Sequence, residues 1–284
     1  MKYMTKKWYE TMQKTDLYLL LRVSKKAEVF SEDYYRKLYK REEKKWLELQ
    51  REISEVGFED IYPEEFSGEY IDGAILEGDA LEEARKAYYE RREEAKKYFS
   101  DRSAFDPEQE KKNFRRSVKN NIAVLKKKLP EEILQKTADI RVLALNKASL
   151  EVKREITKYC RQNEKLVRSA VDAYQRNFMK QFGKDSPDFV KKLALHDCEV
   201  ISCRREGKDI VLSLDNSGGF TDICKIRLKN CTIIKVDSQL SGAWCLYEEI
   251  YKTGDRYELH FLMQKKELID FIVSVDDVLY RYDN

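Results

Sequence analysis

The chain reads as an α+β protein, with a mostly helical part over 1–185 followed by a small antiparallel β domain over 186–284. Three observations predict this. The composition changes sharply near residue 185, from long charged stretches to short apolar ones. Before that point apolar residues recur at three- and four-residue steps, as in Val152, Ile156, Tyr159, Val167, Ala170, Tyr174 and Phe178. That is the stripe of a helix with one buried face. After it the period becomes two: in CKIRLK, Cys224, Ile226 and Leu228 alternate with Lys225, Arg227 and Lys229, as in a half-solvated antiparallel strand.

Each helix is announced by its ends. Ser31 precedes a long helical run from Glu32, and Asp79 with Glu82 reads as a capping box. Asp106-Pro107 places a cap before a proline at the first helical position and opens a helix to about Leu129. Pro130 restarts a helix through Leu145, and Ser149 caps the last long one, whose stripe Asn163 interrupts as a polar contact between helices. A short helix is expected between Ser186 and Leu195. In the β part, KDIVLSLD and ELIDFIVSV are strands, Asn216-Ser217-Gly218-Gly219 is a turn, and LYEEIYKTGDRYELHFLM is a hairpin turning at Gly254-Asp255.

Totals narrow the function. Charged residues are 38% of the 284, which suits long solvated helices, and a formal charge of +3 favours no class of partner. No signal peptide or membrane-length apolar run is present, so a cytoplasmic protein without membrane association is expected. The six cysteines show neither C-x-x-C nor zinc spacing and read as reduced packing residues. No cofactor and no metal are expected, because no nucleotide, zinc-protease or EF-hand pattern occurs.

Charge is segregated along the chain. The acidic loop, about 52–84, has no lysine or arginine and mixes carboxylates with aromatics. In contrast, 111–128 has no acidic residue. One reading neutralises the loop against the basic helix of the same chain. The favoured one makes the loop a protein-binding surface of Tyr62, Glu64, Glu65, Phe66, Glu69, Tyr70 and Asp72, for another protein that presents a basic surface. Nucleic-acid binding through Lys111, Arg115, Arg116, Lys119 and Lys126 to Lys128 is the lesser reading, since these cations are taken to point around several helix faces.

Catalytic candidates rest on the two histidines. Parity in the hairpin puts Tyr247, Glu249, Tyr251, Glu258 and His260 on one face, and Trp244, Leu246, Ile250, Tyr257, Leu259 and Phe261 on the other. Glu249 and His260, with Tyr247 or Tyr251, are the candidates for a small-molecule or hydrolytic enzyme; a histidine on an open sheet face is the plainer reading. His196 and Asp197 are consecutive and, if extended, point apart. They are read as tying a helix-to-strand turn.

The segments KYMTKKWYE, LPEEILQKTADIRVLAL, EVKREITKYC, LHDCEVIS, SGGFTDI and GAWCLYEEIY together resemble an uncharacterised family of Gram-positive bacteria, domain of unknown function 4085. The resemblance implies a bacterial cytosolic protein and no catalytic residues. The strand opening at Leu195-His196-Asp197 is also similar to small toxin-immunity domains, which act by binding and blocking. A non-catalytic interaction protein is therefore expected.

Overall fold

The computed structural model describes residues 1–66, 70–71, 74–75, 77–183 and 186–282, with backbone alone at 70–71 and 74–75. In chain order the helices are α1 (Lys6–Met12), α2 (Glu32–Glu55), α3 (Phe58–Ile61), α4 (Gly78–Ser100), α5 (Pro107–Lys128), α6 (Glu131–Lys136), α7 (Ile140–Ala144), α8 (Leu150–Phe182) and α9 (Asp188–Lys192). Four two-residue strands are β1 (Arg22–Val23), β2 (Tyr70–Ile71), β3 (Ala74–Ile75) and β4 (Lys147–Ala148). The longer ones are β5 (Glu199–Glu206), β6 (Asp209–Asp215), β7 (Ile223–Lys229), β8 (Thr232–Val236), β9 (Ala243–Thr253), β10 (Arg256–Gln264), β11 (Leu268–Val275) and β12 (Asp277–Tyr282). The chain packs as two units: 20–153, and 1–19 with 154–284. The packing boundaries thus differ from the change in composition near 185.

In the helical unit, α2 buries Leu38 against Phe114 and Val118 of α5 and against Val142 and Leu145 at α7. Tyr39 meets Phe114 edge-on at 5.1 Å, and the Trp46 indole donates to Glu110 at 3.0 Å. Each fully buried side chain of this size contributes about 1.5–3 kcal/mol. The caps at Ser31, Asp106 and Ser149 form as expected, each accepting at least one backbone amide of the first turn. Two expectations are corrected. The helix containing Asp79 starts at Gly78 after Glu77, with no side-chain cap, so Asp79 lies in the first turn. The helix after Pro130 breaks at 137–139, because Asp139 caps a new one by accepting from the amide of Arg141.

The β unit is an antiparallel ladder in the order β12-β7-β6-β5-β9-β10-β11-β8. Its two ends belong to the same pair of strands. Only Asn230 and Cys231 separate β7 from β8, and only Asp276 separates β11 from β12. The pairs Asp277↔Lys229 and Ser274↔Thr232 continue one register. Two long bent strands therefore pair with each other, and the ladder closes into a six-membered ring, which removes most of its free edge. The bend is held by Asp276 N–H on Lys229 O (3.0 Å) and by the Asn230 amide on Asp276 (2.8 Å).

The wall is incomplete at one place. β5 pairs with β9 only at Glu199↔Trp244 and Val200↔Ala243. Further along β9, the edge amides of Ile250 and Lys252 donate to Tyr174 Oη and Gln181 Oε1 of α8, at 2.9 and 2.8 Å. Backbone polar groups need such partners wherever water is excluded. Inside the ring, Val200, Leu212, Ile226, Leu228, Ile250, Leu259, Phe261, Phe271 and Val273 form the core, with Phe182 and Phe189 packed in. On the outer face, α1 places Trp8 edge-on against Tyr247 at 4.9 Å, and its indole donates to Val167 O.

Candidate functional site

The hairpin of β9 and β10 turns at Gly254-Asp255 and sets His260 directly opposite Glu249. Both are buried, at 4% and 0% exposure, so the expectation of a histidine on an open face is corrected. Residues 1–4 cover them. Both oxygens of Glu249 are taken: Oε1 accepts from the amides of Tyr3 (2.9 Å) and Met4 (2.5 Å), Oε2 from the amide of Lys2 (2.7 Å) and the Tyr251 hydroxyl (2.6 Å). Burial, then the bond to the Glu249 carboxylate, raises the Tyr251 hydroxyl pKa. His260 Nε2 lies 2.9 Å from Glu258, and its Nδ1 is buried with no partner among the described residues. Burial lowers the histidine pKa, opposed by Glu258. A carboxylate that already accepts four hydrogen bonds is a poor base, and the chemistry this arrangement performs is anchoring residues 2–4 to the sheet.

A one-residue bulge alters the expected faces. Leu262 pairs with Tyr247 but Met263 pairs with Cys245, so Leu246 is the extra residue. Cys245 joins Ile250 and Phe261 on the core side, and Trp244, opposite Gln264, moves to the other face and is 44% exposed.

His196 and Asp197 lie in a turn, as expected. Cys198 N–H donates to Leu195 O at 3.0 Å, and Asp197 has φ +64°. His196 Nδ1 bonds the carbonyl of Leu246. A carbonyl only accepts, so Nδ1 carries the proton, and Nε2 lies 3.7 Å from Asp197 Oδ2. The histidine therefore ties the turn to the free edge of β9. The glycine turn closes over it: a Cβ on Gly219 would sit 2.7 Å from Cys198 Sγ. Among the described residues no group of three or more His, Cys, Asp or Glu is placed to hold a metal.

The acidic segment docks on α4. Phe58 stacks on Tyr62 (5.6 Å), Phe66 packs on Tyr88 (5.3 Å), and the Tyr88 hydroxyl donates to Pro63 O. Arg92, 9% exposed, donates twice to Glu59 and once to Tyr62 O. Sequence reading passed over Arg92, because a lone arginine in a charged helix carries no local signal. Tyr62 and Phe66 are thus half-buried within the chain, and Glu64 and Glu65 are exposed. Tyr70 is in β2, of which only the backbone is described; Glu69 and Asp72 lie outside the described residues.

The basic helix is more ordered in its charges than expected. Phe114, Val118 and Leu125 form its buried stripe. Lys112, Arg115, Arg116, Lys119, Lys126 and Lys127 are all exposed. At 100° per residue they fall within an arc of about 120° turned away from that stripe. Six of the eight cations thus share a face, whereas Lys111 and Lys128, both half-buried, lie off it. Lys111, half-buried, is paired with Glu108 at 2.6 Å and stands apart from this face. No carboxylate of the described residues lies within ion-pair distance of Lys112, Arg115, Arg116 or Lys119; Arg116 donates to Asn113.

Glu248 was also passed over. Its cross-strand partner is Phe261, so its side chain faces the ring interior. It makes no hydrogen bond or ion pair among the described residues, and burial raises its pKa to about 7. Parity against Phe261 is the signal that would have found it.

No helix among the described residues is long and apolar enough to cross a membrane. No curated protein and no solved structure matches the chain. A family model does, over residues 93–271, which takes in α5, α8 and the ring of strands as far as β11. The match covers more than half of the 284 residues, and the chain belongs to the DUF4085 family of proteins of unknown function.

Proposed function

We propose that this chain is a non-catalytic binding protein that meets an anionic macromolecule through the exposed face of α5. The observation that carries this reading is the set Lys112, Arg115, Arg116 and Lys119, exposed together on one helix face and in no ion pair with a described residue. The last-turn lysines 126 to 128 have a local explanation, since cations are favoured at a helix C-terminus. The cations of the first half have none, because they sit nearer the end where the helix dipole favours negative charge. Like charges clustered on a surface repel, and a partner of opposite sign relieves that repulsion.

The test is affinity capture by the tagged full chain from cell extract, eluted with rising salt. The variant carrying Lys112→Glu, Arg115→Glu, Arg116→Glu and Lys119→Glu is expected to lose the salt-eluted partner. A second reading keeps the acidic segment as the contact surface for a basic protein, favoured by the exposure of Glu64 and Glu65. Retention by the α5 variant together with loss by Glu64→Lys/Glu65→Lys would replace the first reading by the second.

A further inference from the structure

Resting on the reading of α5 as the contact surface, we infer that its partner is a double-stranded nucleic acid, held through backbone phosphates without base readout. The face offers cations and little else. Between Lys112 and Lys127 the remaining exposed positions of the helix are Asn120, Asn121, Ala123 and Val124, with no aromatic and no carboxylate among them. Single-stranded nucleic acid is gripped by stacking bases on aromatic side chains, and this face has none to offer. An anionic membrane surface takes up the apolar side of a basic helix. Here that side is spent: Phe114, Val118 and Leu125 are buried, with Phe114 and Val118 packed on α2 and α7 in the core of the same unit. A protein partner matched to six cations would have to supply a carboxylate for each, whereas a duplex supplies charge at a fixed high density.

Length and spacing fit the duplex as well. Lys112 to Lys127 spans about 22 Å of helix axis at 1.5 Å per residue. A duplex carries one charge per about 1.7 Å of its axis, so several phosphates lie within reach of this face at once. The cations fall in steps of one helical turn: Lys112, then Arg115 with Arg116, then Lys119, then after a gap at Ala123, Lys126 with Lys127. Asn120 adds a neutral donor able to bond a phosphate oxygen. Nothing on the face matches the pattern of a base edge, so binding independent of sequence is expected.

The experiment is fluorescence anisotropy of the full chain with a labelled duplex of mixed sequence and about 20 base pairs, titrated at several salt concentrations. Six phosphate contacts correspond to a slope of log K on log salt near −5, or about a thousandfold loss of affinity between 50 and 200 mM salt. Replacing Lys112, Arg115, Arg116 and Lys119 with alanine is expected to reduce the slope by about 3 to 4. These positions are exposed, and circular dichroism and the melting temperature are expected to stay as in the parent chain. No duplex binding at low salt, an unchanged slope in the variant, or tighter binding of a single strand of the same sequence would each overturn the inference. Two further arms separate it from the reading it rests on. If the duplex does not bind but a salt-eluted protein partner is lost by the α5 variant, the contact surface stands and the nucleic-acid assignment falls. Binding to phosphatidylserine vesicles, lost in the variant and without duplex binding, would assign the face to a lipid surface instead.

Discussion

Glu248 and Glu249 are neighbours on one strand and are treated in opposite ways. Glu249, on the outer face of the sheet, is fully buried and accepts from three backbone amides and a tyrosine hydroxyl. Glu248, on the inner face, is only half-buried, is opposite Phe261 and has no donor among the described residues. A buried carboxylate is tolerated when its lone pairs are filled, and otherwise holds its proton. The donors that the fold brings to the carboxylate decide whether it is an anchor or a liability.

The comparison breaks most sharply at Glu249. Glu249→Ala strands the amides of Lys2, Tyr3 and Met4 and the Tyr251 hydroxyl, and about 3–5 kcal/mol of stability is expected to be lost in urea unfolding. A loss below about 1 kcal/mol would mean that residues 2–4 do not depend on this carboxylate.

At Glu248 the effect has the opposite sign. Its folded pKa, about 7, lies above the ordinary 4.5, so the folded state holds the proton more tightly than the unfolded one. The stability this contributes is complete below pH 4.5 and is lost as pH rises through 7. Glu248→Gln is expected to flatten that alkaline loss, giving a relative gain of about 1–3 kcal/mol at pH 8 that shrinks toward pH 5. Equal effects of the substitution at both pH values would place Glu248 in contact with water or with a donor.

Tyr251→Phe removes one donor of the four and leaves the Lys2 amide on Glu249 Oε2. About 1 kcal/mol is expected from thermal melts, well short of the loss at Glu249 itself. His260 sharpens the same face. Its pKa is lowered from 6.5 mainly by burial, amid Glu249, Glu258, Lys2, Tyr251 and the amine of Met1. The unfolded state then binds the extra proton first, so stability is complete above pH 6.5 and declines as pH falls below it. His260→Asn is expected to reduce that acid decline. An identical acid limb in melts of the two proteins would assign it to carboxylates elsewhere.

Much of this was legible locally. Ser31, Asp106 and Ser149 cap helices because a cap bonds amides only two or three residues away. Alternation in CKIRLK and the turn at Gly254-Asp255 gave the strands, and parity placed Glu249 and His260 on one face, where the register pairs them directly. Failures began where one residue was out of step. The bulge at Leu246 moved Trp244 to the other face. The docking of Tyr62 on α4 involves Arg92, 30 residues away, and that of Phe66 involves Tyr88.

Sequence by itself determined the fold class, the helix starts at Ser31, Asp106 and Ser149, the strand faces away from bulges and the segregation of charge, since each depends on residues within a few positions of one another. Tertiary structure alone decided that the strands close into a ring and that residues 1–4 cover Glu249 and His260. It alone decided too that the stripe of α5 which is buried leaves its cations exposed on one side. These depend on contacts between residues as far apart as Met4 and Glu249. No local periodicity encodes such a contact, because its energy comes from burying both partners together.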